Sequence, residues 1–151
     1  MGRVCRDFAI FYVLAVFALI VLGALIQILL GRDIGSVANV LPAFVAAFYT
    51  GHRYGTRHGT TPESGFAWKA AFWMLLICLL YSAIMVMVFA LALGVGIVSA
   101  LMSAVVDLPA SWLIGIVAVV LALYLIIPRF AFSWGARMAV KAEQKRLHDT
   151  F

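Results

Sequence analysis

Charge is scarce in this chain: of 151 residues, 11 are Lys or Arg and 6 are Asp or Glu. Only 11% of the sequence is charged and 66% is hydrophobic, whereas ordinary soluble domains are about 25% charged and about 45–50% apolar. That balance excludes a soluble globular enzyme. It also excludes a disordered tail, which needs low hydrophobicity and high net charge. Cysteine is nearly absent too. Cys5 and Cys78 are the only two, too few for a disulfide scaffold, and both read as plain thiols. Catalytic signatures are missing: there is no G-x-S-x-G elbow, no H-E-x-x-H helix and no phosphate loop ending in G-K-[ST]. His52 and His58 stand six apart rather than three or four, with no Cys or paired carboxylate beside them, so no metal site is expected. Neither a catalytic residue nor a cofactor is assigned.

What the chain has instead is four runs without Asp, Glu, Lys, Arg or His: Phe8–Gly31, Ile34–Gly51, Ala70–Val106 and Leu108–Pro128. About 20 apolar helical residues cross a hydrocarbon core of about 30 Å, and in lipid the backbone must satisfy itself. The first, second and fourth runs each fit one crossing. The third holds 37 residues, too many for one span and too few for two with a turn. Charge decides between the readings. Four spans with the N-terminus inside place ten Lys/Arg on the inner side and leave Arg32 alone outside. Five spans would export the basic tail, against the positive-inside rule. The fold expected is therefore an all-α, integral membrane four-helix bundle forming one domain over 1–151, N-in/C-in. Its spans are about 8–30, 34–51, 70–92 and 110–130, followed by a basic cytoplasmic helical tail over 131–151. The first span reads as uncleaved, because its apolar run exceeds a signal-peptide core and no small-x-small site follows.

The surplus of the third run has its own pattern. Ile97, Val98, Leu101, Met102, Val105 and Val106 share one helical face, opposite Gly96, Ser99, Ala100, Ser103, Ala104 and Asp107. Such amphipathic spacing fits a short outer interfacial helix at about 95–107; a re-entrant segment and a continuation of span three are the alternatives. Trp68, Trp73, Trp112 and Trp134 fall near the expected boundaries, as interfacial aromatic belts do.

Small residues let membrane helices approach closely. A four-residue series runs Gly31, Gly35, Asn39, Ala43, Ala47, Gly51, Gly55 and Gly59, read as a packing strip within one chain, with Gly55 and Gly59 assigned to a flexible loop. A second series occupies Ala92, Gly96, Ala100 and Ala104, with shorter pairs at Ser111/Gly115 and Ala118/Ala122. Pro42 falls inside span two, where it would kink the helix. Gln27 and Asn39 sit at comparable depth and suit an interhelix hydrogen bond. With Ser36 and Asp107 nearby, the alternative is a small polar pocket opening outward. No run carries an ionisable residue at its middle, which argues against a proton-coupled pump and separates the chain from small multidrug exporters with a buried glutamate in their first span.

In the inner loop, Thr61, Pro62 and Glu63 read as a helix start, with Thr61 as N-cap and Pro62 at the first position. Glu63 could pair there with Arg53 or Arg57. Beyond span four, Arg137, Lys141, Lys145 and His148 form a stripe suited to anionic inner-leaflet headgroups, at about 1 kcal/mol per cation. Nucleic acid is not an expected partner. The loop pattern of Gly51, Arg53 and Tyr54 followed by Pro62 and Glu63 resembles a family of uncharacterised small bacterial inner-membrane proteins with four predicted transmembrane helices. The resemblance implies a multi-pass location in the bacterial cell inner membrane and adds no activity, cofactor or catalytic residue. The function expected is a non-enzymatic inner-membrane protein acting through protein–protein contacts, as an accessory subunit, regulator or toxin-immunity protein, with a protein partner or its own copies. The alternatives are an oligomeric small-solute transporter or channel subunit, and an interfacial enzyme acting on lipid through the Arg53–Glu63 loop.

Overall fold

The computed structural model describes residues 1–30, 41–93 and 110–148. Among the described residues the chain is 95% helical without strands. Four helices follow in order: α1 (Gly2–Leu30), α2 (Leu41–His58), α3 (Ser64–Leu93) and α4 (Ala110–His148). At 1.5 Å per residue α1 and α3 are each about 45 Å long and α4 about 58 Å, against a hydrocarbon thickness of about 30 Å. Helices α1, α3 and α4 are long and apolar enough to cross a membrane. The expected second span is described only from Leu41, so its first residues, 34–40, lie outside the described residues. So does the expected interfacial helix at 95–107.

Every helix end that the structure describes departs from the charge-free runs in the same direction. Helix α1 starts at Gly2 rather than near Phe8, and α2 continues past Gly51 to His58. The tail continues span four as expected: α4 runs unbroken through Pro128 to His148. A charge ends an apolar run but not a helix: Arg and Lys are good helix formers, and only backbone chemistry stops the turn. In α2 that stop is Gly59. Its φ of +64° is open to glycine at no steric cost, and its N–H donates to the Gly55 carbonyl at 2.9 Å, closing the helix with a left-handed cap. Gly55 is thus helical rather than part of a loop. Helix α3 begins at Ser64, two residues later than Pro62, with the Glu63 carbonyl accepting the Ala67 N–H at 2.9 Å. Pro42 falls in the first described turn of α2 and is buried; the turn before it, on which the expected kink depends, lies outside the described residues.

The four helices converge at one end. Buried there are Phe8 and Tyr12 of α1, Ala43, Ala46 and Ala47 of α2, Ala67, Ala70, Met74 and Cys78 of α3, and Ala131 and Phe132 of α4. The beginning of α1 and α3 meets the end of α2 and the second half of α4, so consecutive helices run antiparallel. This is also where the cations collect, and we call it the basic end. The far halves of α1, α3 and α4 are apolar and uncovered, as Ile28 (80% exposed), Leu91 (79%) and Trp112 (69%) show. A Cβ added at Gly115 would meet nothing within 4 Å, so this glycine marks no close helix approach among the described residues.

The most extensive interface joins α2 to α4, two helices that run parallel. Its seam is built from glycine. A Cβ added at Gly51 would collide with the carbonyl of Phe132, and one at Gly135 with the carbonyl of Phe48. At Gly55 it would sit 2.5 Å from the Ala136 carbonyl oxygen and 2.9 Å from the Ala139 Cβ. The expected packing strip is therefore present at Ala43, Ala47, Gly51 and Gly55, all buried. Thr50, buried beside it, satisfies its hydroxyl by donating to the Ala46 carbonyl at 2.7 Å. Phe48 and Phe44 close one flank of the seam against Trp134, with ring centroids 5.7 and 6.4 Å apart.

The seam makes a discriminating prediction. Gly51→Ala and Gly135→Ala insert a methyl into backbone and should each lower stability by about 1–3 kcal/mol, as overpacking does. Gly23→Ala and Gly115→Ala, at open positions, should be neutral or stabilising by up to about 1 kcal/mol through helix propensity. Thermal denaturation in a single mild detergent, followed by tryptophan fluorescence, ranks the four.

Candidate functional site

Extending α2 past Gly51 has a chemical consequence. Arg53 and Arg57 are one helical turn apart and so share a face, and that face meets Asp7 in the second turn of α1. Arg57 Nη1 donates to Asp7 Oδ2 at 3.0 Å, and Arg53 Nη1 stands 3.5 Å from Asp7 Oδ1. The Asp7 side chain is 6% exposed, against 40% for Arg57 and 47% for Arg53. One buried carboxylate is thus gripped on both oxygens by two cations whose far sides remain in solvent. This replaces the expected pairing: among the described residues Glu63 makes no ion pair with Arg53 or Arg57. Gly51, expected as an inner-loop contact, is buried in the α2–α4 seam, and Pro62 and Glu63 precede α3 without touching the carboxylate.

Around the triad lies a cavity of about 840 Å³ walled by the first turns of α1, the end of α2 and the start of α3. Arg3, Arg57 and His58 supply cationic or ring-nitrogen groups; Val4, Tyr54 and Phe66 supply apolar wall. The wall is stiffened by stacking. His58 lies over Tyr54 with centroids 4.3 Å apart and planes 16° from parallel. Tyr54 in turn packs on Phe66 at 5.2 Å and on Phe132 at 5.7 Å. His58 Nδ1 is 3.1 Å from the Tyr54 carbonyl. A carbonyl only accepts, so Nδ1 carries hydrogen in that contact.

A second group of cations lies on α4. The Arg129 guanidinium sits 4.2 Å from the Trp68 ring centroid, a cation–π contact, and donates to Ser64 Oγ at 3.3 Å. Arg137 joins Arg129 and Trp134 in lining a cavity of about 330 Å³, while Lys141 and Lys145 are exposed further along the helix. Deeper in the bundle Tyr12 and Cys78 are buried, and the Tyr12 ring meets Tyr81 edge-on at 5.3 Å. Of the expected polar pocket, Ser36, Asn39 and Asp107 lie outside the described residues, and Gln27 falls in the last turn of α1.

Asp7, Arg3, Tyr54's stacking role and Phe66 were not singled out by sequence reasoning. Asp7 was legible: it is the only acid in the first 32 residues and abuts an apolar run, and Arg53 and Arg57 have i, i+4 spacing. No family model, curated protein or solved structure matches the chain.

Because only the carboxylate is buried, the triad should respond asymmetrically. Removing both cations with Arg53→Gln/Arg57→Gln leaves Asp7 uncompensated and should cost about 3–5 kcal/mol. Asp7→Asn releases two guanidiniums that already reach water, and should cost about 1–3 kcal/mol, the scale of a lost buried hydrogen bond. Arg57→Gln should hurt more than Arg53→Gln, following the shorter contact. Equilibrium unfolding of the four variants in the same detergent measures the order.

Proposed function

We propose that the chain is a four-span protein of the bacterial inner membrane, with both termini in the cytosol, that works without catalysis by contacting another membrane protein. The apolar far halves of α1, α3 and α4 carry this reading. Only 6% of the most apolar window of α1 is buried within the chain, and 11% of that of α4. In water such a surface would aggregate; in a bilayer it faces lipid or a partner helix, and close packing rather than hydrophobicity selects between them. The orientation is supported by the cations: Arg3, Arg53, Arg57 and Arg129 gather at the end where the helices converge, as positive-inside insertion requires. The non-catalytic reading is supported by Asp7. Both of its oxygens are held by guanidiniums, an arrangement that fixes helices rather than one that accepts a substrate proton. Lys141 and Lys145, exposed on the α4 extension, would then lie along the anionic inner leaflet beside Arg137.

Two measurements check the reading. A fluorescent-protein fusion after Phe151 should be bright and a periplasm-dependent phosphatase fusion at the same place silent. A photo-crosslinking residue at Ile20, Val86 or Val119, each exposed in the far half of its helix, should yield one reproducible protein adduct in native membranes. Lipid adducts alone at all three positions would remove the partner.

A further inference from the structure

The cavity at the basic end has a composition that selects its occupant. Two guanidiniums, Arg3 and Arg57, line it, and Asp7, which also pairs with Arg53, is the only acid among its lining residues. Asp7 is already gripped by two arginines, so the triad keeps one positive charge in excess and Arg3 adds a second. Among the described residues Arg3 has no ion pair or hydrogen-bonded side-chain partner. The cavity therefore offers an anion site whose donors are guanidiniums. Planar guanidinium groups match phosphate oxygens better than an ammonium does.

The rest of the wall distinguishes between sources of phosphate. A site for a free phosphate ion surrounds it with donors on every side. Here the guanidiniums share the cavity with Val4, Tyr54 and Phe66, apolar groups that suit a glycerol and the beginning of an acyl chain. A volume of about 840 Å³ is also far more than a bare phosphate fills and lies in the range of sites for larger ligands, roughly 300–1,000 Å³. Depth agrees. The cavity lies beside Asp7, and the residue after it, Phe8, opens the apolar run of α1. That junction is where a spanning helix leaves the hydrocarbon, and so where lipid phosphates lie.

We propose that this cavity is a binding site for the phosphate headgroup of an acidic phospholipid, with Arg3 and Arg57 as its ligands and Asp7 as the residue that positions Arg57. It is separate from the exposed lysines of α4, which face the leaflet only as a diffuse charge. The inference rests on the membrane placement proposed above, but not on which leaflet the basic end faces.

The test uses the full chain in phosphatidylcholine nanodiscs containing a minority of phosphatidylglycerol, with co-released lipid counted by native mass spectrometry. Wild type should retain a phosphatidylglycerol molecule through detergent release. Arg3→Gln, which disturbs no ion pair, should weaken retention roughly fivefold, and Arg3→Gln/Arg57→Gln roughly 25-fold, the scale of one and two cations lost near a headgroup. Arg137→Gln/Lys141→Gln/Lys145→Gln should retain the lipid as wild type does. Equal retention in Arg3→Gln and wild type, or loss in the α4 variant alone, overturns the site. Displacement of the lipid by millimolar inorganic phosphate overturns the lipid assignment in favour of a soluble anion. Reversed fusion reporters would sink the proposed orientation and leave this measurement intact, so the two failures are distinguishable.

Discussion

Close approach of α2 and α4 backbones is the constraint on which the remaining structure depends. In a chain whose surface is as apolar as its interior, removing apolar area from the surroundings does little to select one helix arrangement over another, because a lipid tail is as good a neighbour as leucine. What does select is geometry that only the protein can provide. Gly51, Gly55 and Gly135 leave no room for a Cβ against the opposing backbone, so the dispersion contacts made there are unavailable to lipid. Helical glycine is intrinsically costly, about 1 kcal/mol each relative to alanine. Glycines within the packed end of a helix are tolerated when the approach they permit returns more than that.

The seam also sets where the charges go. With α2 held against α4 through its last turns, the opposite face of the same turns is presented to α1. Arg53 and Arg57 are on that face, and Asp7 is what they find. The same docking turns Tyr54 toward Phe66 and Phe132, knitting α2, α3 and α4 into one aromatic cluster. A carboxylate this deeply buried would be untenable alone; two cations that keep their outer edges in water resolve the conflict, since each can pair without full desolvation. The cavity is then a remainder. Three helices meet at a charged corner where side chains cannot close-pack without burying a further ion.

How much of this was legible in the sequence follows from which physical signal each feature leaves. Apolar runs mark α1, α3 and α4 plainly, and the four-residue spacing of Ala43, Ala47, Gly51 and Gly55 correctly marks a packing strip. The end of α2 was misplaced because there a run without charge was equated with a helix, although α3 and α4 were both read as extending into charged sequence. That step stopped α2 at Gly51 and made a loop of Arg53 to Arg57. Once those residues are helical, the i, i+4 spacing of the two arginines becomes informative and Asp7, the lone acid near them in the antiparallel neighbour, is the natural partner. Glu63 was the more tempting acid because it is nearer in sequence. Yet a carboxylate at the start of α3 has its own local role at the helix terminus, and sequence proximity says nothing about which helix faces which. The parallel contact between α2 and α4 left a weaker trace still. Gly135 alone hints at it, set among Ala131, Ala136 and Ala139, since small residues show that something approaches closely but not what.

Packing is then unequal along the described residues. The basic end has the glycine seam, the ion triad, the aromatic cluster and the Arg129–Trp68 stack; the far halves of the long helices have few contacts with one another among the described residues. Among the described residues no packed core joins the far halves, so separating them breaks few contacts. In a bilayer the space between spreading helices would fill with lipid or with another helix. A partner that inserts there gains apolar contact without displacing any of the polar fastenings. Helix α1 is held to the others by Phe8 and Tyr12 in the buried core as well as by the ion pairs of Asp7.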